Sequence, residues 1–190
     1  MPSAGGNNDG VVRLLSVGSV VPGKGYDLLI AAVANIPDLP WRLTIAGDQT
    51  RNLAASAQLK ADIAAHRLAE RVAVLGAVTP QRISELYLAS DLFVLASRFE
   101  GYGMALAEAI AHGLPVVSTM AGAIPDTIPA GTGLLVPPDD VAALTQALRR
   151  LISDRAERQR LAMNARTAAT QLPTWQESAR LFAAAINTVG

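Results

Sequence analysis

Six short apolar runs, at residues 12–17, 42–46, 72–75, 91–96, 115–118 and 133–136, alternate with stretches of helical apolar spacing. Strands interleaved with helices in this way cannot pair as hairpins. Each strand reaches the next through a crossover, and crossovers produce a parallel sheet buried on both faces. Because crossovers are right-handed, such a sheet is wound in two directions from its middle. The chain is therefore predicted to be α/β, a doubly wound parallel sheet of Rossmann-like type, in a single domain over 11–190. Helices are predicted at 26–35, 53–68, 81–89, 104–112, 141–152, 156–170 and 175–187, with Gly113 as the stop of the fourth. Residues 1–10, MPSAGGNNDG, are small and polar and read as a disordered lead-in. They lack the basic and apolar regions of a signal peptide.

In a doubly wound sheet, ligands sit at the carboxyl ends of the strands. Glycines recur at those ends: Gly18, Gly47, Gly76, Gly101 with Gly103, and Gly122. The most informative stretch runs from Ser97 to Glu108. Glu100 precedes Gly101-Tyr102-Gly103, and a helix then opens and carries Glu108. Glycines let a backbone approach a ligand closely, and a helix N-terminus presents free amides and a positive dipole end to an anion. Glu108 lies five residues past Gly103, about 7.5 Å along a helix axis. Its two carboxylate oxygens can hold two neighbouring hydroxyls. A sugar at one end, a ribose at the other and phosphates between would use all three features. Acids near a helix start, favoured by the dipole alone, account for the two carboxylates equally well.

Two other loops occupy the same edge. Gly18 to Gly25 follows the first strand and carries Lys24, a cation that can meet a diphosphate. It is not a Walker loop, because Gly25 follows the Gly-Lys pair, and it lacks the dinucleotide fingerprint spacing. By itself it reads as an ordinary connection. Ala121 to Asp126 is a small-residue loop in which Asp126 can accept from a hydroxyl, and alone it too reads as a loop and helix start. Arg98 either faces solvent or neutralises phosphate.

Composition narrows the classes. Hydrophobic residues at 51% support a sizeable core. Lys plus Arg equals Asp plus Glu at 16 each, which gives no electrostatic basis for nucleic-acid binding. The absence of cysteine removes thiolate metal sites and nucleophiles and fits a cytoplasmic location. The two histidines, His66 and His112, are isolated and make no metal site. Ser97 lacks a nucleophile-elbow context, Trp175 reads as packing, and no apolar run is long enough to span a bilayer.

Taken in order, these blocks resemble the C-terminal, donor-binding half of retaining nucleotide-sugar glycosyltransferases of the GT-B fold, the glycosyl transferases group 1 family. The resemblance rests on Gly18 with Lys24-Gly25, Ala46-Gly47-Asp48, Leu75-Gly76-Ala77-Val78 and Ala89-Ser90-Asp91. It continues through Ser97-Arg98-Phe99-Glu100-Gly101-Tyr102-Gly103, Glu108-Ala109, Gly113-Leu114-Pro115-Val116-Val117 and Gly131-Thr132-Gly133-Leu134-Leu135-Val136. It covers the chain from about Leu14 onward. The resemblance implies that Glu100 is the catalytic residue, a carboxylate that contacts the donor sugar, and that Glu108 contacts the ribose. It also implies donor-binding roles for Gly18, Ser19, Lys24, Gly76, Val78, Gly101, Tyr102, Gly103 and Met104, with no metal and no cofactor. Two positions depart from the family pattern. Ser19 stands where an arginine is usual, and Gly122-Ala123-Ile124-Pro125-Asp126 replaces Gly-Gly-x-x-Glu. The implied partners are a nucleoside-diphosphate sugar and an N-terminal acceptor domain missing from this chain, through which any membrane contact would be made. The alternative is a non-catalytic module that binds a nucleotide or a protein partner.

Overall fold

The computed structural model describes residues 9–170, in which six strands form one all-parallel sheet. The strands are β1 (Val12–Val17), β2 (Trp41–Ala46), β3 (Val72–Val74), β4 (Leu92–Leu95), β5 (Val116–Thr119) and β6 (Gly133–Val136). Their spatial order is β3-β2-β1-β4-β5-β6, so the winding reverses between β1 and β4. The helices are α1 (Tyr26–Ala34), α2 (Leu53–Ala65), α3 (Pro80–Leu88), α4 (Met104–Ala111), α5 (Ile124–Thr127), α6 (Val141–Ser153) and α7 (Arg155–Ala169). The predicted helix over 175–187 and most of the predicted lead-in lie outside the described residues.

Side-chain alternation along the strands sends neighbours to opposite faces. Leu14, Leu92 and Val94 pack with α1, α2 and α6, whereas Leu15, Phe93 and Leu95 pack with α3 and α4. Helix α7 serves both sides, with Leu161 in the first cluster and Ala165 in the second. A buried leucine or phenylalanine of this kind contributes roughly 2 kcal/mol. This explains why the central strands read as continuous apolar runs rather than as alternating ones. Among the described residues no helix is long and apolar enough to cross a membrane.

Most boundaries shift by a residue, and at two of them the cause is local. β2 begins one residue early, because Trp41 is buried and its indole donates to the Ile36 carbonyl at 2.9 Å. Arg71 lies over the same ring at 3.8 Å. Helix α2 stops at Ala65 rather than at 68, because Arg67 turns left-handed and the Leu68 amide returns to the Ile63 carbonyl. The short helix α5 and a 3-10 turn at Pro22–Lys24 have too little periodicity to register in a sequence window.

Candidate functional site

The reversal between β1 and β4 opens a crevice at the carboxyl edge of the sheet. One wall is the loop leaving β1. There the 3-10 turn ends at Gly25, whose left-handed backbone (φ 63°) also caps α1. A Cβ at Gly25 would lie 2.0 Å from the Ala96 carbonyl oxygen, so the head of α1 rests directly on the end of β4. The Tyr26 hydroxyl reaches back to donate to the Gly18 carbonyl at 2.7 Å. Burial pushes this phenol up to about 12, which keeps it a donor.

The other wall is the loop leaving β4, and the two are joined across the crevice. The Arg98 amide donates to the Gly23 carbonyl at 2.9 Å, and Lys24 Nζ lies 2.5 Å from Glu100 Oε2. Burial alone would raise the Glu100 carboxyl. The Lys24 ammonium and the amides of Gly103 and Tyr102 outweigh it and hold the group below its ordinary value, so it is ionised near neutrality. The Glu100 backbone is equally fixed. Its carbonyl accepts from the Ala123 amide at 2.9 Å, and a Cβ at Gly122 would come within 2.2 Å of that oxygen.

Glu100 also meets the head of α4. Its Oε1 accepts from the Gly103 amide at 3.2 Å. Gly103, at φ 81°, is the N-cap and supplies no side-chain acceptor. The next two amides, of Met104 and Ala105, have no acceptor among the described residues. An eight-residue helix therefore points unsatisfied donors and its positive end into the mouth of the crevice, which suits an anion. Gly101 has open space around it, and Phe99, Tyr102 and Met104 are exposed along the rim. Glu108 lies further along α4, exposed, with Oε2 accepting from the Tyr87 hydroxyl at 3.1 Å.

Beyond β1, the edge continues as a line of glycines. The Gly18 amide donates to the Ala46 carbonyl at 2.9 Å, and the Gly47 amide to the Gly76 carbonyl at 2.8 Å. Half-buried Ser19, Gly76 and Val78 border this part. The structure thus places every candidate residue on the carboxyl edge. It brings Lys24, Glu100 and Gly103 into direct contact and holds Glu108 separately through Tyr87.

Arg98 is half-exposed and is held by carboxylates. Its guanidinium takes Asp27 through two nitrogens (2.9 and 2.7 Å) and Asp139 through a third at 2.6 Å, and it also donates to the Pro22 carbonyl. The hydrogen bond to Asp27, aided by Asp139, makes it more basic than usual. It is a brace between the lysine loop and the far wall, committed to two carboxylates. Arg98→Lys keeps the charge but loses the fork. It is expected to lower the thermal midpoint by about 3 °C, from a loss of about 1 kcal/mol. It should also speed amide exchange at residues 22–25. An unchanged exchange pattern would argue against the brace. Sequence reasoning also missed Tyr87, which sits in α3 without a motif, and Asp27 and Asp139, which meet Arg98 only in three dimensions.

Known proteins share this fold. Residues 2–168 match the family described as Glycosyl transferases group 1. The lipopolysaccharide core biosynthesis mannosyltransferase LpsB of Rhizobium meliloti is 38% identical over 138 residues, 70% of this chain and 39% of that protein. Sucrose-phosphate synthase from Thermosynechococcus elongatus superposes with a TM-score of 0.85 at 30% identity, covering 94% of this chain and 45% of that one. Anabaena Alr3699/HepE in complex with UDP and glucose gives 0.78 at 27% identity, over 85% of this chain and 44% of that one. The chain therefore spans less than half the length of these relatives. A family match across most of the residues and a shared fold lead to a single assignment: the chain belongs to the glycosyl transferases group 1 family.

Proposed function

We propose that this chain binds a nucleoside-diphosphate sugar across the β1–β4 crevice, as the donor-binding half of a retaining glycosyltransferase. The observation that carries the reading is the Lys24–Glu100 pair facing the unsatisfied head of α4, with Glu108 on the same helix. The diphosphate takes Lys24 and the amides of Met104 and Ala105. The sugar lies against Glu100 and Gly101–Gly103, the ribose hydroxyls against Glu108, and the base toward Gly76 and Val78. Gly18 and Ser19 line the wall beside the phosphates, and Tyr102 and Met104 form the rim. A relative crystallised with UDP and glucose supports a nucleotide sugar as the ligand class.

During transfer, negative charge grows on the leaving diphosphate and positive charge on the anomeric carbon. Lys24 and the head of α4 are already oriented toward the first, and the ionised Glu100 carboxylate toward the second. The acceptor is held by the complementary half that the longer relatives carry.

Calorimetric titration with UDP, GDP, ADP and their hexose conjugates tests the reading. Glu108→Ala weakens both the nucleotide and its conjugate about tenfold, the worth of a hydrogen bond to a charged group. Glu100→Ala removes the advantage of the conjugate over the plain diphosphate. It leaves the diphosphate as tight or tighter, because Lys24 is released. If no nucleotide binds, the reading fails and a module for a protein partner takes its place.

A further inference from the structure

Glu108 is exposed, and a free glutamate on a helix surface samples several rotamers whose loss on binding costs affinity. Here it is not free. The Tyr87 hydroxyl lies 3.1 Å from Glu108 Oε2 and 3.1 Å from the Ala105 carbonyl. One hydroxyl hydrogen faces two acceptors, and the charged carboxylate is the stronger of them. The Tyr87 ring itself is fully buried and clamped. The Phe93 ring lies 5.9 Å away at 33°, and the His112 ring stacks on it at 4.8 Å and 18°. His112 is pinned in turn, with Nδ1 2.8 Å from the Glu108 carbonyl oxygen and Nε2 3.3 Å from Ser84 Oγ. Burial, together with the neighbouring Glu108 charge, pushes the Tyr87 phenol far above its ordinary value, so it remains a donor at any physiological pH.

We propose that Tyr87 is a positioning residue for ribose recognition, fixing the plane of the Glu108 carboxylate so that both oxygens meet the two adjacent hydroxyls of a ribonucleotide. This rests on the reading of Glu108 as the ribose contact. With Oε2 tied to the phenol, Oε1 and the remaining lone pair of Oε2 face outward as two acceptors at a set spacing. A preset spacing favours a pair of vicinal hydroxyls, so the device selects ribose over a sugar that lacks both.

The experiment is calorimetry with UDP and GDP and their 2′,3′-dideoxy counterparts, on the wild-type chain and on Tyr87→Phe, Glu108→Ala and the double variant. Tyr87→Phe keeps the stacking on Phe93 and His112 and removes only the hydroxyl. The wild type should prefer the ribonucleotide about tenfold. Tyr87→Phe should lower ribonucleotide affinity about fivefold and leave the dideoxy compound unchanged. Adding it to Glu108→Ala should change nothing further. An equal drop for both compounds would make Tyr87 merely structural and overturn the proposal, as would an unchanged preference in Tyr87→Phe. If the wild type shows no preference between ribo and dideoxy, or binds neither, the ribose reading of Glu108 fails and this proposal fails with it. Loss of preference in Glu108→Ala but not in Tyr87→Phe would reject the positioning role alone.

Discussion

Gly25→Ala should lower the thermal midpoint by roughly 10 °C, whereas Gly23→Ala, two residues away, should leave it within about 2 °C. The two glycines share a loop, but their surroundings differ. A Cβ at Gly23 meets nothing within 4 Å. A Cβ at Gly25 would lie 2.0 Å from a main-chain oxygen of Ala96, and the residue holds φ 63°. The left-handed backbone costs an alanine about 1 kcal/mol, and forcing α1 off β4 costs about 2 more. A loss of about 3 kcal/mol in a domain of this size corresponds to the stated shift. Scanning calorimetry on both variants decides it. Equal midpoints would mean that α1 does not rest on β4 as described.

Lys24→Met should weaken binding of a nucleoside diphosphate about thirtyfold or more, the largest effect expected from one side chain in the crevice. The reason is a reversal of local charge. With lysine present, the crevice offers a neutral pair whose cation can turn to the phosphates. Without it, the incoming dianion faces Glu100 alone, and Arg98 is held elsewhere by Asp27 and Asp139. Lys24→Met with Glu100→Gln should therefore bind the diphosphate better than Lys24→Met by itself. The opposite order would show that Glu100 does not face the phosphates. The same pair has a pH signature. Since the folded Glu100 carboxyl sits below its ordinary value of 4.5, the stability it contributes is fully present above that value. That stability is lost as pH falls through the lower folded value. Acid unfolding of Lys24→Met should accordingly depend less steeply on pH below 4.5 than that of the wild type.

Much of this fold is written in local pattern. Runs such as Leu92–Leu95 are apolar on both faces and short, which is the mark of a strand between two helical layers. Gly103 and Gly113 bracket α4 as its start and stop. What the sequence hid is the pairing of distant parts. Arg98 finds Asp27 and Asp139 across 71 and 41 residues, respectively. No periodicity announces such a contact, and the polar–polar match exists only after the sheet has formed. Tyr87 was hidden for another reason. In a helix pattern a tyrosine reads as an apolar face residue, and only the position of its hydroxyl shows that it serves Glu108. The two carboxylates could be picked out by position, but a helix dipole accounts for them equally well, and the roles given to them came from the family resemblance and not from their spacing.

At the base of the crevice, main chain touches main chain with only hydrogen atoms between: Gly25 on Ala96, Gly47 on the Gly18 carbonyl, Gly122 on the Glu100 carbonyl. The span of the opening is thus gauged by peptide units, which every sequence possesses, and not by side chains, which drift. Mutations along the lining can recolour what the opening prefers while its width stays constant. A scaffold of that kind can change clients over evolutionary time without being rebuilt.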